Sequence, residues 1–238
     1  SGPPAPVAAS AAPARASRTA TGRLVGNKLL SLAGATKEVR QFTFDTRDSP
    51  VPLTYEAGDA LGVEALNCPA LVAEWLAVTG LDPAVPVDVT GLGPVPLGEA
   101  LHRHLDIARI TPALLRLVAE RTHDRTLRKL LRPDNKGELA QWTWGRQAVD
   151  VIAEHSARAT AAEWTGALTR LRPRLYSISS SPLSDPGLVR LTVSVVRYEN
   201  RHGAVRKGVA STFLADAEAG SPVPVFVQRA PHFRPPAD

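Results

Sequence analysis

Two short stretches concentrate the side chains best suited to chemistry. Arg172-Pro-Arg-Leu-Tyr-Ser-Ile-Ser-Ser-Ser-Pro182 sets two guanidiniums, a phenol and four hydroxyls around only two aliphatic residues. If Arg174-Leu-Tyr-Ser177 is extended, alternation puts Arg174 and Tyr176 on one side and Leu175 and Ser177 on the other. A guanidinium suits a diphosphate through paired charge-assisted hydrogen bonds, and a phenol ring offers a flat surface to a planar heterocycle. A flavin dinucleotide makes both demands, while a serine-rich loop closing on Pro182 is the plainer alternative. The second stretch is Lys207-Gly-Val-Ala-Ser-Thr-Phe-Leu-Ala215. Gly208 permits close backbone approach, Ser211 and Thr212 can cap, and the N–H groups opening a short helix form a ready anion site. An ordinary capped helix fits these residues equally well.

Other candidates carry less. Asp88-Val-Thr-Gly-Leu-Gly-Pro94 lacks the third glycine of a dinucleotide fingerprint and runs into Pro94 and Pro96 rather than a helix, so a loop is expected. His102 and His104 diverge on a helix and have no further ligand at metal spacing, so they are expected to be solvated and no metal site is expected. Cys68, beside Pro69 and with no activating base, reads as a packed thiol. No Gly-x-Ser-x-Gly elbow occurs.

The elements that must position the two stretches follow from periodicity. Arg40-Gln-Phe-Thr-Phe-Asp45 alternates with Phe42 and Phe44 on one face, as in a half-buried strand. Tyr55 to Val63 reads as a strand entering a glycine turn. From Cys68 to Thr169 the pattern turns helical. Leu71, Val72, Trp75, Leu76 and Thr79 fall at helical spacing, Thr111-Pro112 is an N-cap followed by a first-turn proline, and further helices are expected over 126–131, 145–155 and 161–170. Strands return at Leu188–Tyr198 and Val223–Gln228.

Composition bounds the rest. The chain has 238 residues, a formal net charge of +5 and only 5% aromatic residues. Its basic residues are scattered, which suits an anionic ligand or acidic partner better than a nucleic-acid groove. A single cysteine excludes an internal disulfide and a cysteine zinc cluster, which points to the cytoplasm. No apolar run is long enough for a membrane span. Residues 1–20 are mostly Ala, Pro and Ser without a carboxylate and read as a disordered tether. Methionine is absent even at position 1, which points to a piece of something longer.

Four motifs in order resemble the FAD-binding domain of diflavin reductases, the family of the sulfite reductase flavoprotein subunit and microsomal cytochrome reductase. They are RLYSISSS at Arg174, TVSVVRY at Thr192, KGVASTFLAD at Lys207 and HFRPP at His232, and YEAGDALGVEALN at Tyr55 matches an early element of the family. The resemblance covers residues 21–238 and leans toward the sulfite reductase branch. It implies a mainly β fold, a ferredoxin-reductase-like antiparallel barrel, with an α-helical connecting subdomain inserted over about 68–169. Carried over by position, Arg174 holds the FAD pyrophosphate, Leu175 is a further cofactor-binding candidate, Tyr176 stacks on the isoalloxazine and Ser177, the catalytic candidate, lies near flavin N5. Backbone at Thr192, Val193 and Ser194 lines the ring, Tyr198 approaches the adenosine half, and Gly208, Val209, Ala210 and Ser211 wrap the diphosphate. Arg146 matches an upstream FAD-contacting arginine, and Ala108 stands where relatives often carry a hydroxyl. The implied function is electron transfer from NADPH through FAD to FMN and on to a haem or metal acceptor. The partners it implies are an NADPH-binding domain and a flavodoxin-like FMN domain, neither within this chain, so the chain alone is expected to lack efficient turnover. The other expectation kept open is a docking module of the same fold that mainly positions a flavodoxin-like partner.

Overall fold

The computed structural model describes residues 19–230; HFRPP and nearly all of the expected tether lie outside them. Ala20, the last residue assigned to the tether, already opens a strand. In chain order the elements are β1 (Ala20–Leu29), β2 (Glu38–Asp45), β3 (Ala60–Val63), α1 (Pro69–Thr79), β4 (Pro86–Val89), β5 (Gly93–Pro96) and α2 (Leu97–Glu99), which runs into a π turn over Ala100–His104. There follow β6 (Leu105–Asp106), α3 (Pro112–Thr122), α4 (Arg125–Leu130), α5 (Lys136–Thr143), α6 (Ala148–His155), α7 (Ala161–Gly166) and β7 (Thr169–Arg170). The chain then returns to strands with β8 (Arg174–Ser177), β9 (Leu188–Val195), β10 (Arg197–Glu199) and β11 (Val205–Lys207), and ends on α8 (Val209–Asp216) and β12 (Pro222–Gln228).

Six strands form one antiparallel sheet in the order β8-β3-β12-β1-β2-β9. Phe42 and Phe44 of β2 are fully buried, and with Leu24, Leu61, Val189, Leu191, Val193, Val223 and Val225 they make the sheet core. The resemblance implied a closed barrel, but the continuous ladder is an open sheet with β8 and β9 at its edges. One antiparallel bridge, Ile178 to Leu191, joins those edges. The reason lies in the serine turn. Just past Ile178 the Ser180 hydroxyl, rather than a strand carbonyl, accepts the Arg190 N–H at 3.0 Å, and it shares a 2.8 Å bond with the buried Tyr55 hydroxyl.

The early Tyr55–Asn67 motif explains how β3 is held. The order of its parts is a turn entering a strand, not the reverse: Gly58 takes φ +92°, and β3 begins only at Ala60. The Asp59 carboxylate, 3% exposed, accepts the N–H groups of Glu56 (2.9 Å) and Ala230 (3.0 Å), pinning the turn to the end of β12. At Gly62 a Cβ would lie 2.2 Å from the Phe226 ring, so only glycine lets that ring cross the strand. Buried Asn67 donates to the carbonyls of Leu101 (2.6 Å) and Leu105 (2.7 Å), tying the exit of β3 to the helices.

The residues between β3 and β8 build a second core around Trp75, Ile107, Leu114, Val118, Ile152 and Trp164. Trp75 and Trp164 meet edge to face with centroids 6.2 Å apart, and Trp75 Nε1 donates to the Ile107 carbonyl at 2.9 Å. Thr111 caps α3 by accepting the Leu114 N–H at 3.0 Å, as its spacing predicts. The helix expected over 145–155 starts at Ala148, because Gly145 takes φ +75°. The one expected over 161–170 stops at Gly166, since Thr169 and Arg170 pair with β6 instead. The Gly-Leu-Gly loop is the turn of the β4–β5 hairpin, with Gly91 and Gly93 both at φ +82°. No sequence signal marked α5.

Candidate functional site

The site is assembled at the seam between the sheet edges and where the second core meets it. On β8 the residues pair in order with β3: Arg174 with Val63, Leu175 with Gly62, Tyr176 with Leu61 and Ser177 with Ala60. Arg174, Leu175 and Ser177 are exposed, whereas the Tyr176 ring is half-buried against the sheet core. Burial pushes the Tyr176 phenol up from its ordinary pKa, with the Arg174 charge opposing, so the ring is a neutral surface with a cation beside it. The Ile178–Leu191 bridge continues in register to set Ser177 opposite Thr192 of β9. Thr192 and Ser194 are exposed, while Val193 between them points into the core and leaves only its backbone for the outer face.

The later serines serve the turn. Ser179 donates its N–H (2.8 Å) and hydroxyl (3.1 Å) to the Arg190 carbonyl, and Ser181 accepts the Leu183 N–H. They fix the curve that brings β8 to β9.

Immediately after β9, the start of α8 is locked onto Val196. The Gly208 N–H donates to the Val196 carbonyl at 2.8 Å, and the Ser211 hydroxyl accepts the Val196 N–H at 3.1 Å. A Cβ on Gly208 would lie 2.9 Å from Val196 Cβ and 3.1 Å from Ser211 Oγ. Glycine is thus required by packing on Val196, with φ at an ordinary −72°. The Ser211 side chain is spent on this lock, and Thr212 donates back to the Gly208 carbonyl at 2.7 Å. What the segment offers outward is the backbone N–H groups of Val209, Ala210 and Ser211, which have no intrahelical acceptor.

Tyr198, on β10, is half-buried. Burial raises its pKa, and the neighbouring Gln147 side chain opposes the rise. Along the chain, Thr192 of β9, the Val196 anchor of α8 and Tyr198 of β10 follow one another in that order.

Arg146 immediately precedes Gln147, the N-cap of α6. Its guanidinium lies 4.3 Å over the Trp142 ring, pairs with Glu154 at 3.0 Å and donates to the Trp142 carbonyl. It is thus committed to the helical region. The carbonyl of Ala108 accepts the Ala148 N–H at 3.0 Å, which puts it against the start of α6. His104 bonds Glu99 at 3.2 Å, and no cluster of three or more metal-ligating side chains occurs among the described residues. Cys68, half-buried, ends at the N-terminus of α1 and lines a cavity of ≈ 630 Å³ with Asn67, His102 and Phe213. That cavity shares Lys207 and Val209 with the site, but Tyr176, Ser177 and Thr192 are not among its walls.

Sequence reasoning missed a buried ionic network. Arg206, 5% exposed, pairs with Asp150 at 2.6 Å and Glu74 at 2.8 Å, and Asn200 donates to Asp150 at 2.8 Å. Burial pushes the Asp150 carboxyl up, yet the Arg206 guanidinium, the Gln147 N–H and Asn200 together hold it below its ordinary value. The only sequence signal was local: Gln147 and Asp150 stand three apart at a helix start, the spacing of a cap.

Comparison with known proteins places the chain in a family. The family model described as an FAD binding domain matches residues 12–213. The chain is 38% identical over 219 residues to the sulfite reductase (NADPH) flavoprotein alpha-component of Mannheimia succiniciproducens, covering 92% of this chain and 36% of that protein. It is 37% identical over 244 residues to the protein of that name from Bacillus subtilis (96% and 40%) and 39% identical over 216 residues to that from Neisseria meningitidis serogroup B (90% and 35%). The chain thus spans a little over a third of the length of these relatives. With its family model matched over most of its length, the chain belongs to the FAD binding domain family.

Proposed function

We propose that the chain binds one FAD and serves as the flavin-holding and connecting part of an NADPH-dependent diflavin reductase of the sulfite reductase type. The single observation that carries this is the order of groups met from β8 across to β9 and on to β10. Half-buried Tyr176 with exposed Ser177 and Thr192 stands at one end, the glycine-started α8 anchored on Val196 in the middle, and Tyr198 at the other end. This donor set fits FAD: Arg174 and the first N–H groups of α8 suit the diphosphate, and the two tyrosines suit the two ring systems. The Ser177 hydroxyl has no partner among the described residues and is free to hold a proton at the ring's reactive edge. When bound, FAD supplies hydride acceptance and single-electron release. Val193 and Leu191, packed inward, keep the strand beneath the ring dry and fixed.

Two further parts belong to this proposal. The single Ile178–Leu191 bridge supports a sheet that closes on itself as a barrel, with the serine turn completing the seam. The helical region with its own core supports a connecting unit over about 68–169 that positions an FMN-binding flavodoxin-like domain. An NADPH-binding domain and a haem or metal acceptor complete the route, in the cytoplasm. Among the described residues no helix is long and apolar enough to cross a membrane. The test is titration of the purified chain with FAD. Expected is near-stoichiometric binding with a structured visible spectrum and altered flavin fluorescence. A chain that stays colourless in excess FAD yet binds a flavodoxin-like partner would contradict flavin holding and leave the docking role.

A further inference from the structure

We infer that Arg206 is the positioning residue for the adenosine end of the flavin site. This rests on the FAD-binding proposal above and deepens it. The β10–β11 hairpin carrying Tyr198 is not part of the six-stranded sheet. It pairs only within itself, Arg197 with Lys207, Tyr198 with Arg206 and Glu199 with Val205. A two-stranded hairpin of three pairs has little stability of its own, so its placement depends on what grips it from outside.

Arg197 pairs with Glu38 of β2 (3.3 Å) and Asp216 of α8 (2.7 Å), and Lys207 with Asp216 (3.1 Å), all partly exposed; Arg206 supplies the buried grip. Its Nε and Nη2 bind both oxygens of Asp150, at 3.1 and 2.6 Å, while Nη1 and Nη2 bind both oxygens of Glu74 at 2.8 Å each. The planar fork spans two carboxylates from two different helices, α6 and α1, which a lysine ammonium cannot do. Asp150 also accepts the Gln147 N–H at 2.8 Å, and the Gln147 side chain donates to the Lys207 carbonyl at 3.0 Å. Asn200, at the hairpin turn, donates to Asp150 and accepts the N–H groups of His202 and Ala204. Both strands of the hairpin are thus tied to the start of α6, and Arg206 is paired through the backbone with Tyr198. Two residues beyond Arg206 stands Gly208, which opens α8. One guanidinium therefore fixes both the second tyrosine and the approach to the helix N-terminus, and does so from the helical core.

Removing Arg206 outright would leave two carboxylates without their cation, a change that threatens the fold itself. The test therefore uses Arg206→Lys and, separately, Glu74→Gln, each alone and combined with Tyr198→Ala, with FAD affinity read by flavin fluorescence and folding by circular dichroism. In the parent chain Tyr198→Ala is expected to weaken FAD by about tenfold, and Arg206→Lys by about tenfold. In the Arg206→Lys background Tyr198→Ala should then cost no more than about twofold, because a displaced ring has little left to lose. Glu74→Gln should give the same non-additivity at smaller size. Additive losses, unchanged affinity in Arg206→Lys, or no loss from Tyr198→Ala in the parent chain would overturn the inference while leaving FAD binding intact. Failure of the parent chain to bind FAD would overturn the proposed function itself.

Discussion

The sheet and the helical region solve the same problem in opposite ways. At the edge of the sheet, β9 seals one face and leaves the other to solvent, burying Val189, Leu191, Val193 and Val195 while offering Thr192 and Ser194. In the helical region the apolar side chains of several helices converge on Trp75 and Trp164, and the polar residues that matter are drawn inward to a seam. The difference teaches where each kind of residue is useful. A rigid, half-exposed strand presents groups to a ligand, whereas a seam between two cores sets the relative position of what they carry.

The largest expected effects separate the two cores. Phe42→Ala and Trp75→Ala should each cost about 3–5 kcal/mol of stability, measured by urea unfolding. Of the two, only Phe42→Ala removes the packing beneath β9, so at low temperature it should weaken FAD while Trp75→Ala keeps near-parental affinity. Equal losses of affinity would erase the distinction between presenting and positioning regions.

Acid sharpens the same contrast at the seam. The Asp150 carboxyl is held below its ordinary value of 3.8, so its pairing stabilises the fold fully above that value and is lost as pH falls through the lower folded-state value. Stability should therefore fall below about pH 4, and Asp150→Asn should flatten that part of the urea midpoint-against-pH curve. An unchanged acid limb in Asp150→Asn would put the titration elsewhere.

A smaller effect is expected from Ser211→Ala. It removes the acceptor for the Val196 N–H, on a residue that water can reach, and should cost about 0.5–1.5 kcal/mol. FAD affinity should fall by more than this, since the start of α8 is freed from β9. Stability lost with affinity unchanged would show that the lock serves the fold alone.

What was legible in the sequence follows from the range of the interactions. Phe42 and Phe44 announce a strand because alternation is local, and Thr111 announces a cap because its acceptor role acts three residues on. The residues proposed to hold the flavin were legible as motif wording, with Arg174, Tyr176 and Ser177 on one short strand. Gly208 was legible as a special position, though its packing on Val196 was not. The network of Arg206 was illegible because its partners stand 56 and 132 positions away, and nothing in Ala204-Val-Arg-Lys-Gly208 points to them. Arg146 was legible as a candidate ligand contact, but its contacts with nearby Trp142 and Glu154 were not.

Arg174 and Tyr176 share one side of the edge strand β8. Arg174→Ala combined with Tyr176→Ala alters an exposed and a half-buried side chain at a sheet edge. Circular dichroism and the thermal midpoint should remain close to those of the parent chain. Titration with FAD should then show binding lost or weakened by at least about a hundredfold, from the missing phosphate cation and ring surface together. FAD bound by the folded double variant as tightly as by the parent chain would contradict the account.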